Sequence, residues 1–153
     1  MIKLLIILMS LSSMAFSGES LNIKKSHPYM TFGVYAPVPV PMVGIGYRDL
    51  QNNRGTDFSI DLGSVVVGTF VNAHVKYITY FSNNYIAIGA KGSFVIAVYN
   101  GRSASAINFA PEITFGKDRK TTFNQINLNF PHVMLRDGIS YIPVISYQYG
   151  VKF

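Results

Sequence analysis

The side chains of this chain that could do chemistry are few and scattered. Seven ionisable residues, Arg48, Asp57, Asp61, His74, Lys76, Lys91 and Glu112, share one feature: each falls on the polar side of an alternating segment. Carboxylates and cations held together in this way form an ion-pair network, carry protons or ions along a path, or serve a nucleophile with a base and an orienting acid. For the last of these, His74 and Asp61 with Ser59 or Ser64 supply the right residue types. Their geometry depends on strand register, and no G-x-S-x-G elbow supports them. His27, His74 and His132 lie far apart and the chain has no Cys, so no metal site and no cofactor is expected. Basic residues stand singly in turns, which argues against a nucleic-acid surface. The formal charge of +6 favours contact with anionic surfaces in general.

The elements that must position these residues read as strands. The chain has 153 residues, the length of one domain. It opens MIKLLIILMSLSSMAFSGES, with Lys3 before an apolar run and Ala15-Phe16-Ser17 as a small-x-small site. That pattern is a cleaved secretory signal over residues 1–17. Residues 18–28 are a polar, flexible lead, and residues 29–153 form the domain proper. Beyond the signal no apolar run is long enough for a spanning helix. The dominant period is two. Eight strand-like runs fall at 29–35, 42–50, 56–64, 70–81, 85–96, 106–116, 122–130 and 140–153. Tight polar turns, Asn52-Asn53-Arg54-Gly55, Ser82-Asn83-Asn84 and Lys117-Asp118-Arg119-Lys120, alternate with longer connectors at 36–41, 65–69, 100–105 and 131–139. Short turns on one rim and longer loops on the other match a membrane barrel with its short turns periplasmic.

The two faces of each run differ in kind. In Phe-Asn-Gln-Ile-Asn-Leu-Asn-Phe, residues 123–130, Ile126, Leu128 and Phe130 alternate with Gln125, Asn127 and Asn129. Along the other runs too, one face carries large apolar side chains and the other carries glycines, small residues and a few charges. A soluble sandwich turns a charged face to water, and this polar face is poor in charge. It suits the crowded interior of a barrel of about eight strands, which has room for packed side chains and none for a wide channel. The apolar face then meets lipid. The charges inside are expected to pair between neighbours, Asp57 and Asp61 with His74 and Lys76, and Lys91 with Glu112. Aromatics near run ends, Tyr29, Tyr47, Tyr80, Phe81, Tyr85, Tyr99, Phe115 and Tyr141, are expected to form interfacial girdles. Arg54, Lys117, Arg119 and Lys120 would meet lipid headgroups or water at the short-turn rim.

The last residues, Tyr147-Gln-Tyr149-Gly-Val151-Lys-Phe153, resemble the C-terminal signal of bacterial outer-membrane β-barrel proteins, a terminal Phe preceded by apolar or aromatic residues at alternate positions. The resemblance implies recognition by the barrel assembly machinery and residence in the bacterial outer membrane. The segments VGIGYRDL, DFSIDLGS, HVKYITYF and APEITFG are also similar to segments of small barrel proteins from chlamydia-related bacteria, a group that brings no activity with it. Small outer-membrane barrels include lipid A deacylases and acyltransferases. The deacylases share a His-x-Ser pair late in the chain, whereas here His132 precedes Val133-Met134 and His74 precedes Val75-Lys76. The sequence therefore points to an all-β protein, an eight-stranded antiparallel up-and-down transmembrane barrel. It would be monomeric, plugged by its polar interior, and structural or surface-binding rather than enzymatic. Two alternatives make distinct demands. A lipid-modifying enzyme needs a His–Ser–acid cluster at one rim. A secreted soluble β-barrel needs Ile126, Leu128 and Phe130 turned to a core, with Asn127 and Asn129 exposed.

Overall fold

The computed structural model describes residues 25–36, 39–65, 68–99, 102–130, 132–135, 138–141 and 143–153. The expected signal at 1–17 and most of the lead lie outside them. Ten strands follow in chain order: β1 (His27–Ala36), β2 (Val40–Gln51), β3 (Arg54–Val65), β4 (Gly68–Phe81), β5 (Asn84–Tyr99), β6 (Arg102–Asp118), β7 (Thr122–Asn129), β8 (His132–Leu135), β9 (Gly138–Tyr141) and β10 (Val144–Lys152). Eight of them close a barrel in the order β1-β10-β7-β6-β5-β4-β3-β2, every neighbour antiparallel. The remaining pair, β8 and β9, forms a separate hairpin between β7 and β10.

Local chemistry accounts for the turns. At one end, β2–β3 and β4–β5 are joined by two residues each, Asn52-Asn53 and Ser82-Asn83. Asn52 and Ser82 adopt φ of 60° and 58°, the left-handed backbone that two-residue hairpins use to match strand twist. Because two residues suffice there, and three (119–121) between β6 and β7, Arg54, Gly55, Asn84, Lys117 and Asp118 belong to strands rather than to the turns the sequence suggested. The last barrel strand likewise begins at Val144, because the residues before it pair within the β8–β9 hairpin. His27 and Pro28, read as lead, start β1 opposite Arg48 and Tyr47.

Period two places the side chains. Outward stand Phe32, Ile45, Phe58, Ile60, Val75, Ile88, Ile126 and Tyr147, all exposed in the isolated chain. Inward stand Arg48, Asp57, His74, Lys76, Glu112, Gln125, Asn127 and Asn129, all buried. The soluble alternative required the reverse: Ile126 is 44% exposed while Asn127 and Asn129 are 1% and 0% exposed. A continuous apolar exterior of this size is incompatible with water.

Four cross-strand pairs set large rings against glycines inside the barrel. Tyr29 faces Gly46, Phe70 faces Gly63, Tyr85 faces Gly116 and Phe123 faces Gly150. A Cβ added at any of these glycines would fall on the atoms of the facing ring. The rings lie over bare backbone, which lets a narrow lumen hold aromatic volume. This corrects the girdle expectation for Tyr29, Tyr80 and Tyr85, which are buried in the lumen at 1%, 3% and 2% exposure. Tyr47, Phe81 and Phe115 do point outward. The side chains of Tyr99 and Tyr141 lie outside the described residues.

The wall is uneven. β6 pairs with β5 from Arg102 to Lys117, but with β7 only from Glu112 to Asp118.

Candidate functional site

The polar lumen is the part of the molecule where chemistry-bearing groups converge, in three storeys. The storey nearest the short turns is built round Arg48. Register sets Arg48 on β2 opposite Asp57 on β3, and Arg48 Nε lies 2.8 Å from Asp57 Oδ2. Its other nitrogens donate to Tyr80 Oη at 2.9 Å, Tyr85 Oη at 2.9 Å and Gln125 Oε1 at 3.0 Å. The guanidinium also stacks 4.1 Å from the Phe123 ring centroid and 4.5 Å from that of Tyr85. Tyr29 Oη donates to Asp57. The planar fork of arginine suits this role, since several donors and two flat faces are used at once.

In the middle storey, Glu112 on β6 receives Lys76 Nζ at 3.0 Å and His74 Nδ1 at 2.9 Å. His74 Nε2 lies 2.8 Å from Asp61 Oδ2. Two carboxylate acceptors around one ring ask for two N–H donors, which only the imidazolium has. Thr114 Oγ1 donates to Asn127 Oδ1 at 2.7 Å, and Asn127 Nδ2 to Ser146 Oγ at 3.0 Å. The storeys are joined by amides: Gln125 donates to Gln148, and Gln148 Nε2 reaches Asp61 Oδ2 at 3.5 Å.

Toward the loop end, Asn72 Nδ2 donates to Asp61 Oδ1 at 2.5 Å and to Tyr35 Oη at 2.9 Å. Lys91 Nζ sits 4.8 Å from the Tyr35 ring centroid.

All seven residues singled out in the sequence lie in this lumen, and their pairing follows the neighbour rule only in part: Asp61 on β3 pairs with His74 on β4 as expected. Asp57 stands opposite Lys76 in the β3–β4 register, yet its ion pair is with Arg48. Glu112 pairs with His74 and Lys76 and not with Lys91. Arg48–Asp57 and His74–Asp61 join adjacent strands, whereas His74 and Lys76 on β4 reach Glu112 on β6, so adjacency alone does not decide partners in a narrow barrel. Sequence reasoning set Tyr35, Asn72 and Gln148 on the inward face without naming them in the network, and missed Tyr29, Tyr80, Tyr85 and Phe123. The signal was present, because each shares the parity of an inward neighbour: Tyr29 that of Thr31, Tyr85 that of Ala87, Tyr80 that of Lys76.

His74 is not free to serve as a base for a serine. Both ring nitrogens of His74 are held by carboxylates. Ser59 lies opposite His74 in register, but no hydrogen bond joins them among the described residues, and Ser64 Oγ is 2.9 Å from Thr69 Oγ1. His132 has no described side chain. At the end of the chain, Tyr147, Tyr149 and Phe153 face outward, exposed, and Val151 is half-buried.

Neither a protein-family model nor a curated protein matches this chain. Solved structures do. The N-terminal β-barrel domain of Pseudomonas aeruginosa OprF is similar with a TM-score of 0.56 and 15% identity, over 86% of this chain and 100% of that one. The Yersinia pestis outer membrane protein Ail, in a phospholipid bilayer nanodisc, is similar with a TM-score of 0.54 and 9% identity, over 84% of this chain and 100% of that one. At such identities the likeness is one of fold: the chain has the closed, eight-stranded, antiparallel architecture found in small outer-membrane barrels.

Proposed function

We propose that this chain is an integral protein of the bacterial outer membrane, a plugged barrel with a structural or surface-binding role and no enzymatic activity. One observation carries the reading: a continuous apolar exterior encloses a lumen filled by a bonded polar network. An open polypeptide edge is intolerable in hydrocarbon, and closure into a barrel removes it. The network of Arg48, Asp57, Asp61, His74, Lys76 and Glu112 acts as the plug. It satisfies its own charges, which buried ions require, and leaves the surface of the loop end to meet partners. On this reading the short turns, the start of β1 and the end of β10 are periplasmic and the longer connectors external. The terminal Tyr147, Tyr149, Val151 and Phe153 engage the barrel assembly machinery, and the exposed Arg54, Lys117, Arg119 and Lys120 meet anionic headgroups or water. An export signal at 1–17 fits the same route. The segments similar to small barrels of chlamydia-related bacteria support placing the chain among them. The protein works as a monomer and takes no nucleic acid.

Cell fractionation followed by electrophoresis with and without boiling tests this. The protein is expected in the outer-membrane fraction, with a mobility that changes on boiling as a detergent-resistant barrel unfolds. A soluble protein with one mobility would overturn the reading.

A further inference from the structure

Three features of the loop end fall together on β5, β6 and β7. First, the seven charges of the lumen do not balance. With His74 as imidazolium, four cations face three carboxylates, and Lys91 is the one without a carboxylate within ion-pair distance among the described residues. Its ammonium lies over the face of Tyr35, with Glu112 and Asp61 near enough to attract it but outside ion-pair distance, although the residue is 7% exposed. Second, Asn129 is fully buried and neither its Oδ1 nor its Nδ2 has a partner. Buried amides are nearly always bonded, so an orphaned one marks a missing acceptor and donor. Third, the β6–β7 ladder ends beside them. Asn129 pairs with Glu112, Phe130 N donates to Pro111 O at 3.3 Å, and there the β6–β7 ladder stops. Residues 102–110 of β6 continue with β5 on one side and, among the described residues, with no hydrogen-bonded strand on the other. The β8–β9 hairpin passes close to β6 without pairing to it.

Register places Lys91 opposite Ala110, one step above the Glu112–Asn129 pair. A small side chain therefore separates the surplus cation from the orphaned amide. On the outside of this notch stand Ile107 and Phe109, 71% and 72% exposed. An unpaired strand edge cannot lie in hydrocarbon, so the notch sits at headgroup depth.

We propose that this notch is a binding site for an anionic amphiphile, its phosphate or carboxylate headgroup held by Lys91 and the Asn129 amide and its alkyl chain lying outside over Ile107 and Phe109. The headgroup would give an ion pair to the lumen cation that has none among the described residues and supply acceptors for the orphaned N–H groups, and it would reach them sideways between β6 and β7. The inference rests on the membrane reading above, because it needs the apolar exterior to be in lipid.

The test uses the isotope-labelled protein in phosphatidylcholine nanodiscs, titrated with dodecyl phosphate while the Asn129 side-chain amide and the Ala110 backbone amide are followed by NMR. Saturable shifts at both are expected. Lys91→Gln should weaken binding about tenfold, the value of a hydrogen bond to a charged group. Phe109→Ser should weaken dodecyl phosphate but not inorganic phosphate. A well-dispersed barrel spectrum with no saturable shift at Asn129, or one unchanged in affinity by Lys91→Gln, overturns the site and leaves the membrane reading intact. Saturation by inorganic phosphate at the same concentration overturns the amphiphile as its source. A spectrum without barrel dispersion overturns the membrane reading and the site with it.

Discussion

Arg48 and Asp57 face each other across the β2–β3 ladder and close a 2.8 Å ion pair with both side chains buried in the lumen. The pair joins two adjacent strands to the far wall, because the same guanidinium reaches Tyr85 on β5 and Gln125 on β7. With Tyr80 on β4 as a further partner, one side chain thus ties five strands around the lumen.

Removing one partner of such a pair strands the other. Arg48→Met is expected to destabilise the folded barrel by about 3–5 kcal/mol, and Arg48→Met with Asp57→Leu by clearly less. Urea unfolding of the protein in vesicles measures both. An additive double variant would mean that the two side chains are not coupled.

The ring-on-glycine pairs give a second expectation. Gly116→Ala puts a Cβ into the Tyr85 ring and should destabilise by about 1–3 kcal/mol. At Gly92 the nearest atom to an added Cβ is on the exposed ring of Phe109, 3.2 Å away. That ring is free to shift, so Gly92→Ala should change unfolding in the same assay by no more than about 0.5 kcal/mol.

A lumen filled in this way should not conduct. Planar bilayers holding the native protein are expected to show no discrete conductance steps. Arg48→Ala combined with Phe123→Ala removes two large groups that stack on each other in the turn-end storey and should introduce them. Steps from the native protein would contradict a plug.

Phe153 separates assembly from stability. It lies beyond the end of β10 and is 67% exposed, so Phe153→Ser should leave unfolding in vesicles unchanged. Its level in the outer membrane of cells, followed by immunoblot, should fall several-fold. Equal levels would remove the terminal signal from the account.

Much of the architecture was legible because period two survives in a single sequence. Asn127 and Asn129 between Ile126, Leu128 and Phe130 declare a face, and a face poor in charge declares a lumen. Closure and strand number followed from eight such runs with alternating short and long connectors. Register was not legible, since it is set by pairings between distant segments. Hence Asp57 was matched to β4 when its ion pair runs to Arg48, and the start of the last barrel strand was placed before Val144. Tyr29, Tyr80 and Tyr85 were assigned by their nearness to strand ends, when their parity and the glycines opposite them in register placed them inside. The unequal ladder beside Pro111 also depends on pairing, and proline at 111 was its one trace in the sequence.

The central claim is that the apolar face meets lipid and the amide face does not. The chain contains no Trp, so a single introduced indole reports its own surroundings. Ile126→Trp and Ile45→Trp place it outside, and Phe123→Trp places it in the lumen. In vesicles of phospholipid with brominated acyl chains, the account predicts strong quenching at positions 126 and 45 and weak quenching at 123. Strong quenching at 123 with little at 126 and 45 would mean that the faces are reversed.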